Sequence, residues 1–310
     1  MQTKYNANLG KGTKILYNGK DILWKKAMMF MFLLKEKTFL NEQVFRAVIE
    51  APLIAKKAEP GQFVIVRVCE EGERIPLTIS DYDRDEGTIT LVVQAVGATT
   101  LRFSKMEKGE YLPSVVGPLG KATELEGVKK VAVIGGGVGC AIAYPVARKL
   151  HEMGAQVDTV AGFRNQDLVI MQEEFEKVSD SFTLMTDDGS AGEKGLVTDA
   201  LKKNIEDGAE YDLVIAIGPL VMMKFVSLLT KNYGIRTMVS MNPVMIDGTG
   251  MCGGCRITVG GETKFACVDG PDFDGHLVDF DEAMARASMY RDFERHAYEA
   301  TCNLLKKGDA

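Results

Sequence analysis

Three cysteines and one aspartate toward the carboxyl end of the chain have the spacing of a metal site. Four residues separate Asp247 from Cys252, two separate Cys252 from Cys255, and eleven separate Cys255 from Cys267. Plant-type [2Fe–2S] sites use a C-x4-C-x2-C run with a distant fourth cysteine, and both short intervals are intact here with aspartate in the first position. Since a carboxylate oxygen can ligate iron, the set predicts an iron–sulfur cluster.

Zinc is the main alternative at this site. His276 follows Cys267 and would complete a Cys3His set with Cys252 and Cys255, which zinc accepts. The protein would then be a zinc-stabilised, nucleotide-sensing binding module without redox activity. A colourless protein that holds zinc and no flavin would indicate that alternative.

A glycine-rich loop is the second pattern that could do chemistry. Residues 129–134 read as a compact apolar strand, and residues 135–139, four glycines and one valine, lead from it into a helical run. Backbone N–H groups at such a helix N-terminus can bind a pyrophosphate, so the loop predicts nucleotide binding. The spacing departs from G-x-G-x-x-G at Cys140, and Arg164 rather than an acidic residue follows the next strand. A tight turn for helix–sheet packing is the alternative.

Two further segments have residues that suit a phosphate or a flavin. In Arg74-Ile75-Pro76-Leu77-Thr78 an arginine and a hydroxyl flank a strand start, although an exposed arginine before an ordinary strand is the commoner situation. In Gly97-Ala98-Thr99-Thr100 small residues and hydroxyls open a short helix and could approach a phosphate. A capping role for Thr99 or Thr100 is the alternative.

Short β-runs separated by turn signals must position the first of these segments. From about residue 31 to 115 they suggest a closed barrel, because closure removes exposed strand edges. The runs are VFRAVIEA (44–51), QFVIVRVC (62–69), IPLTIS (75–80) and TITLVVQAV (88–96).

Strands that alternate with helices position the glycine loop and predict a parallel sheet with crossovers. Pro145 lies inside the first helical run, so a kink or a later helix start is expected there. After Met241 the chain becomes a glycine-rich loop with the cysteines, and a charged helical tail follows from Phe280 to about Lys307. The further strand candidates are AQVDTVAG (155–162), FTLMT (182–186), YDLVIAIG (211–218) and RTMVSM (236–241).

Composition excludes several classes of protein. The 310 residues are 46% hydrophobic and 26% charged, with a formal net charge of -6, which is ordinary for a soluble globular protein. The basic footprint of a nucleic-acid binder is missing, and the apolar run 27–34 is far shorter than the roughly 20 residues of a membrane helix. The local group of cysteines fits a metal site in a reducing compartment and predicts a cytoplasmic protein without nucleic-acid or membrane partners. No acid–base catalytic residues are predicted, which fits electron transfer.

The order of these motifs resembles the ferredoxin–NADP reductase superfamily, and within it the iron–sulfur flavoproteins related to the dihydroorotate dehydrogenase electron-transfer subunit. The resemblance rests on RIPLT, GPLG (117–120), the glycine loop and the cysteine segment, and covers about residues 31 to 280. With Asp247, the segments AGFRNQDLV (161–169) and TDDGSAGEKGLVT (186–198) resemble most the small subunits of NADH-dependent reduced ferredoxin:NADP+ oxidoreductases. Such subunits carry FAD, an NAD(H) site and a [2Fe–2S] cluster with three cysteines and one aspartate.

The resemblance implies roles for particular residues. Those implied to contact the flavin or its pyrophosphate are Arg74, Pro76, Leu77, Thr78, Gly97, Thr99 and Thr100. Those implied to bind NAD(H) are Gly136, Gly137, Val138, Gly139, Arg164, Asp188 and Gly218. Those implied to hold the cluster are Asp247, Cys252, Cys255 and Cys267.

The implied function is an electron-transfer subunit that works with a larger flavin and [4Fe–4S] subunit resembling the small chain of glutamate synthase. NADH would be a direct partner, and ferredoxin and NADP(H) would be reached through the larger subunit, which performs electron bifurcation. The alternative is the electron-transfer subunit of an NAD-dependent dihydroorotate dehydrogenase, although that relative has four cysteine ligands where this chain has Asp247.

The resulting domain expectation has five parts. They are an extension without an assigned role (1–30), a β-barrel FAD domain (31–120), an α/β parallel-sheet NAD(H) domain (121–240), a [2Fe–2S] loop subdomain (241–280) and a charged helical tail (281–310).

Overall fold

The computed structural model of the chain describes residues 31–70 and 72–308. The expected extension 1–30 and the last two residues of the expected tail lie outside the described residues. Two seven-stranded sheets and a small hairpin organise the described part. No helix in that part is long and apolar enough to cross a membrane.

The first sheet is antiparallel throughout, with strand order β6-β1-β2-β5-β4-β3-β7. Two short helices, α1 (Pro52–Ala55) and α2 (Ala98–Lys105), lie in its connections. Its strands are β1 (Phe32–Phe39), β2 (Val44–Glu50), β3 (Phe63–Arg67), β4 (Arg74–Asp83), β5 (Thr88–Gln94), β6 (Tyr111–Leu112) and β7 (Ser114–Leu119).

One stretch of chain brings the two edges of this sheet together. β6 pairs with β1 at one edge and β7 pairs with β3 at the other, and only Pro113 separates β6 from β7. Proline has no N–H for a ladder, so the chain changes partner at this position. The sheet is therefore a near-closed barrel, which confirms the first part of the expected fold class.

The second sheet is parallel apart from its last strand, with order β11-β10-β9-β8-β12-β13-β16. Its strands are β8 (Lys130–Gly136), β9 (Gln156–Phe163), β10 (Ser181–Thr186), β11 (Glu193–Lys194), β12 (Leu213–Ile217), β13 (Thr237–Ser240) and β16 (Asp272–Asp274). Its crossovers contain α3 (Gly139–Glu152), α4 (Gln172–Glu176), α5 (Val197–Glu206) and α6 (Leu220–Asn232).

Helices cover both faces of this parallel sheet. On β8 the side chains of Val131 and Val133 pack with α3, whereas those of Ala132 and Ile134 pack in the core that includes α5 and α6. Successive side chains of a strand point to opposite faces of the sheet, so this alternation shows that β8 is buried on both faces. The predicted α/β domain is confirmed, and α3 runs unbroken as a helix through Pro145 from Gly139.

The segment after β13 contains more structure than the loop expected from sequence. It forms the hairpin β14 (Arg256–Val259) and β15 (Glu262–Phe265), then α7 (Ala266–Asp269). Gly260 and Gly261 turn the hairpin with φ of 60° and 81°, which glycine adopts without strain. β16 then pairs antiparallel with β13 and closes that edge of the large sheet.

The charged tail forms two helices in the described part of the chain. α8 (Phe280–Ala287) begins at Asp279, whose side chain accepts a hydrogen bond from the Glu282 N–H at 2.9 Å. α9 (Arg291–Gly308) follows and packs against α2 of the barrel. The tail therefore packs against the barrel domain.

A buried carboxyl on β16 gives a testable pH dependence. Asp272 Oδ2 accepts a hydrogen bond from Thr123 Oγ1 at 2.6 Å, and its buried Oδ1 has no hydrogen-bond partner among the described residues. Burial raises the pKa of Asp272 above its ordinary value of 3.8. The folded chain therefore favours the protonated form, and stability is lost as pH rises from 3.8 through the raised pKa.

Asp272→Asn is expected to raise the free energy of unfolding at neutral pH by on the order of 1 kcal/mol, because no charge then has to be buried. The gain should shrink as pH falls and disappear below 3.8, where the aspartate is protonated in both states. Denaturant unfolding at neutral and acidic pH measures it, with the exposed Asp274→Asn on the same strand as control. A gain that is independent of pH would contradict this explanation.

Candidate functional site

The β14–β15 hairpin brings two of the predicted ligands together. Arg256 pairs with Phe265 at its open end, so Cys255 before it and Cys267 after it approach each other. The two sulfur atoms are 3.2 Å apart, both side chains are buried, and neither is in a disulfide. The Ala266 N–H donates to the Cys255 carbonyl at 3.1 Å and fixes this approach.

The surroundings of Cys267 favour its protonated thiol in the free chain. Burial, together with the neighbouring Cys255, raises the pKa of Cys267 to about 12. The Gly250 N–H donates to Cys267 Sγ at 3.1 Å and acts in the opposite direction. Because metal ligands must be deprotonated, binding a metal group here would release protons.

Asp247 organises the loop that leads to the cysteines. Its Oδ1 accepts from the Thr249 N–H at 2.9 Å and its Oδ2 accepts from the Cys252 N–H at 2.7 Å. These amides hold the pKa of Asp247 below its ordinary value, so the carboxylate is ionised at neutral pH. The aspartate is thus a charged oxygen donor beside the backbone of a predicted ligand.

Cys252 is the exposed member of the set. Its Sγ accepts a hydrogen bond from the Gly254 N–H at 3.5 Å, and its thiol lies at the surface. In the part of the chain that the structure describes, the four side chains are not gathered into a metal-binding group of three or more ligands. What the structure brings together is the Cys255–Cys267 pair, with Asp247 bound to the Cys252 backbone.

The donor chemistry nevertheless fits an iron–sulfur group. Three of the donors are thiols, and N–H groups from glycines point at the sulfurs of Cys252 and Cys267. Hydrogen bonds to sulfur are one of the means by which proteins tune such clusters. The zinc alternative fits less well, since His276 Nε2 instead contacts Thr230 Oγ1 on α6 at 3.0 Å.

The segment Arg74–Thr78 forms the first half of β4, between β3 and β5. Arg74 is exposed, and Pro76, Leu77 and Thr78 are half-buried, so the strand presents accessible surface at this point. Pro76 is paired with Ile65 of β3 and Thr78 with Phe63. This surface can accept a planar apolar ring with a hydroxyl close by.

Gly97, Thr99 and Thr100 lie at the start of α2. The Gly97 N–H donates to Thr100 Oγ1 at 2.9 Å, so Thr100 has the capping role that sequence left open. Thr99 is buried, and its Oγ1 donates to Glu73 Oε2 at 3.1 Å. Because Glu73 precedes Arg74, this bond joins the helix start to β4, and the two predicted flavin segments are neighbours.

Two residues near these segments were missed from sequence. Glu73 makes the bond to Thr99, and Arg67, which pairs with Arg74 on the adjacent strand, has a buried Nε without a hydrogen-bond partner among the described residues. An unpaired buried guanidinium nitrogen suits an anionic group such as a phosphate. No local sequence signal marks either residue, since the role of Glu73 depends on a helix residue 26 positions away and that of Arg67 on its position beside β4.

The glycine loop lies at the point where the strand order of the parallel sheet reverses. Gly136 ends β8, Gly137 has a φ of 56° and donates to the Gly162 carbonyl at 2.8 Å, and Val138 precedes α3. A Cβ on Gly139 would lie 2.7 Å from Gly218 Cα and against the Ile217 carbonyl oxygen. Ligands of open α/β sheets bind in the crevice at this switch point.

The remaining predicted nucleotide residues end neighbouring strands. Gly218 follows β12, and a Cβ there would lie 3.1 Å from Gly136 Cα, so the two loops are in contact. Arg164 follows β9 and Asp188 follows β10, and the Asp188 N–H donates to the Arg164 carbonyl at 3.4 Å. The Ser190 hydroxyl and N–H lower the pKa of Asp188. All these residues therefore share the carboxyl edge of the sheet.

The three predicted binding segments meet at the paired strands β3 and β4. A Cβ on Gly248, in the aspartate–cysteine loop, would lie 3.0 Å from Ile65 Cδ1, and Ile65 is the strand partner of Pro76. At the other end of β4, Ser80 Oγ donates to the Ala141 carbonyl of α3 at 2.7 Å. Ser80 was also missed from sequence. One pair of strands thus lies between the cluster segment, which approaches β3, and the nucleotide helix, which bonds to β4.

Two protein families match parts of the chain. Residues 242–279 match the iron–sulfur cluster binding domain of dihydroorotate dehydrogenase B, and residues 133–228 match the oxidoreductase NAD-binding domain. The first range holds all four predicted cluster residues, and the second holds the glycine loop and Gly218.

Similar whole chains are also known. A dihydroorotate dehydrogenase B (NAD(+)) electron transfer subunit homolog from Thermotoga maritima is 48% identical over 264 residues, which is 85% of this chain and 93% of that protein. The corresponding electron transfer subunit from Shouchella clausii is 32% identical over 77% of this chain and 93% of that protein. A chain in the solved structure of an NADH-dependent reduced ferredoxin-NADP oxidoreductase, studied for flavin-based electron bifurcation, is 46% identical with a TM-score of 0.82, over 86% of this chain and 96% of that one.

Proposed function

The chain belongs to the family of dihydroorotate dehydrogenase B electron transfer subunits and their homologues, and on that premise we propose that it is the small, electron-transferring subunit of an NADH-dependent reduced ferredoxin:NADP+ oxidoreductase. It passes electrons between NAD(H), FAD and a [2Fe–2S] cluster, to or from a larger subunit. The 46% identity to a chain of such an enzyme, over nearly the whole of that chain, supports this assignment within the family.

The position of the paired strands β3 and β4 between two other segments is the observation that carries the proposal. Ile65 of β3, the strand partner of Pro76, lies against Gly248 of the cluster segment, and Ser80 of β4 bonds to the helix that follows the glycine loop. A cofactor seated on Arg74–Thr78 would therefore lie between a nucleotide and a cluster. This order suits a subunit whose task is to connect two carriers.

The barrel residues would hold FAD mainly by shape and by hydrogen bonds. Pro76 and Leu77 offer an apolar surface to the ring, Thr78 offers a hydroxyl, and Arg74 offers a guanidinium to its chain or phosphates. Gly97 and Thr99 would bring the N–H groups at the start of α2 to the pyrophosphate. When bound, FAD supplies the exchange between two-electron and one-electron transfer.

The carboxyl edge of the parallel sheet would bind NAD(H). Gly136 and Gly137 lead into α3, the backbone N–H groups of Val138 and Gly139 lie at its N-terminus, and Gly218 leaves room opposite them. Arg164 and Asp188 would contact the rest of the dinucleotide from the ends of β9 and β10. We assign NAD(H) rather than NADP(H) because the similar proteins are named for NADH or NAD(+).

Asp247, Cys252, Cys255 and Cys267 would hold the cluster. The buried pair Cys255 and Cys267 lies toward the protein interior, whereas Cys252 is exposed and would place the other side of the group at the surface. Such an arrangement suits electron exchange with a second protein.

The surface next to the cluster segment is apolar enough to dock that protein. Met251 is 88% exposed, and Val244, Ile246 and Val268 are also exposed. Exposed apolar groups of this kind mark interaction sites in soluble proteins. We propose a larger flavin and [4Fe–4S] subunit as the occupant, reached in the cytoplasm, with ferredoxin and NADP(H) acting through it.

Purification of the tagged chain with its natural partner tests the assignment. We expect a glutamate-synthase-like flavoprotein with [4Fe–4S] clusters, and oxidation of NADH that requires reduced ferredoxin and NADP+, because NADP+ takes electrons from both donors. The family names favour one alternative, a dihydroorotate dehydrogenase. An FMN-bearing barrel as the partner, with NAD+-dependent oxidation of dihydroorotate, would establish that alternative and overturn the proposal.

Asp247→Cys is expected to keep the cluster and lower its reduction potential by on the order of tens of millivolts. The charge at the position stays the same, but a thiolate is a softer and stronger electron donor than a carboxylate. A redox titration followed by electron paramagnetic resonance measures the shift. Asp269→Asn removes a nearby carboxylate that accepts a hydrogen bond from the Phe265 N–H, and it controls for a change of charge close to the cluster that does not involve a proposed ligand. An unchanged potential in Asp247→Cys would contradict ligation by Asp247.

A further inference from the structure

Pro145 leaves one carbonyl of α3 without its usual donor. In an α-helix the carbonyl of residue 141 accepts from the N–H of residue 145, and proline has none. Ala141 is buried in the first turn of the helix that starts at Gly139. A buried carbonyl without a partner is costly, so another donor is required there.

Ser80 supplies that donor from the other domain. Its side chain is 3% exposed, and its Oγ donates to the Ala141 carbonyl at 2.7 Å. Ser80 lies on β4, two residues after Thr78 of the proposed flavin segment. Ala141 lies two residues after Gly139 of the proposed nucleotide loop. The hydrogen bond therefore joins the proposed flavin segment to the proposed nucleotide loop, and each of the bonded residues is two positions along the chain from its segment.

A second set of contacts joins α3 to β4 next to the Ser80–Ala141 hydrogen bond. Arg148, on the next turns of α3, forms an ion pair with Asp81 of β4 at 2.6 Å. Its guanidinium also lies over the rings of Tyr82 on β4 and Tyr144 on α3, at 5.9 and 5.8 Å from the ring centroids. Ser80 is the buried end of this contact and Arg148 the partly exposed end.

We propose that Ser80 is a positioning residue that sets the distance between nicotinamide and flavin, an inference that rests on the proposed function. Pro145 keeps the Ala141 carbonyl free of an intrahelical partner, so the helix can bond to the barrel at that one place. The step that depends on this geometry moves one hydride from nicotinamide to flavin and needs no third reactant. Displacements of about 1 Å can slow such a step by about a hundredfold.

A cycle of Ser80→Ala, Pro145→Ala and the double variant separates positioning from stability. Ser80→Ala leaves the carbonyl unpaired, so the melting temperature should fall by about 3 °C. Adding Pro145→Ala restores an N–H within the helix, and the melting temperature should recover. Ser227→Ala is the matched control, since it removes a buried hydroxyl that donates to the Met223 carbonyl at 2.8 Å within α6 alone.

The rate of flavin reduction by NADH should behave differently from stability. We expect the limiting rate at saturating NADH to fall by about tenfold or more in Ser80→Ala and to stay low in the double variant, with the NADH dissociation constant within about twofold of the unsubstituted chain. Ser227→Ala should leave both values unchanged.

Several results would overturn this inference. Recovery of the rate together with the melting temperature in the double variant would mean that Ser80 only pairs the carbonyl. An unchanged rate in Ser80→Ala, or a melting temperature that does not depend on which residue is at 145, would also refute it. If NADH does not reduce the flavin of the unsubstituted chain, the proposed function fails. The melting temperatures would then still show whether Ser80 and Pro145 are coupled.

Discussion

Cys255→Ser is expected to abolish cluster binding, with iron falling from about two atoms per chain to nearly none while FAD remains bound. Cys255 is buried beside Cys267, 3.2 Å between the sulfurs, at the open end of the hairpin. A serine hydroxyl is a much poorer ligand for iron than a thiolate, and the buried position allows no other side chain to replace it. Iron and acid-labile sulfide analysis, with the visible spectrum, measures the loss.

Cys69→Ser is the matched control for this change. Cys69 is a half-buried free cysteine in the barrel, and its Sγ lies 3.5 Å from Arg102 Nη1, outside the cluster segment. Its replacement should leave iron and sulfide unchanged. Retention of both iron atoms in Cys255→Ser, with the cluster spectrum intact, would show that this cysteine is not a ligand.

Gly139→Ala is expected to reduce the rate of flavin reduction by NADH by about a hundredfold or more. The added Cβ would meet the Ile217 carbonyl oxygen and Gly218 Cα, which are backbone atoms that cannot rotate away. The start of α3 would have to move from β12, and the N–H groups that we assign to the pyrophosphate would move with it. Stopped-flow reduction by NADH measures the effect, and dithionite should still reduce the flavin.

Gly154→Ala, at the other end of the same helix, separates this effect from general destabilisation. Gly154 has a φ of 82°, so alanine is strained there, but in the described part of the chain no atom beyond its two chain neighbours lies within 4 Å of the added Cβ. This variant should lose some stability and keep the rate with NADH. Equal rates for Gly139→Ala and the unsubstituted chain would contradict the assignment of the nucleotide loop.

Strands with strong local patterns were predictable from the sequence. Each of these strands has its apolar pattern within five to seven residues, so the local sequence was sufficient to predict it. They are β2, β3, β5, β8 and β12. The sequence predicted a closed barrel but not which strands close it, because the pairing of Tyr111–Leu119 depends on two distant strands, β1 and β3. β16 was missed because three residues with two aspartates, Asp272–Asp274, form a strand only against β13.

The candidate site shows the same division. Spacing alone marked the cysteine segment and the glycine loop, since their chemistry is local. Ser80 could not be found in this way, because its partner is 61 residues away in another domain. Pro145 did carry a signal, namely an unpaired carbonyl at Ala141, but the sequence does not say which side chain would pair with it.

In the proposed function, one chain connects NADH, FAD and a [2Fe–2S] cluster. An anaerobic absorbance titration of the isolated chain, first with NADH and then with NADPH, measures whether it does. We predict a yellow-brown protein whose flavin and iron–sulfur bands bleach with NADH in preference to NADPH. A colourless protein that contains zinc, or a coloured one that NADH does not bleach, would contradict the claim.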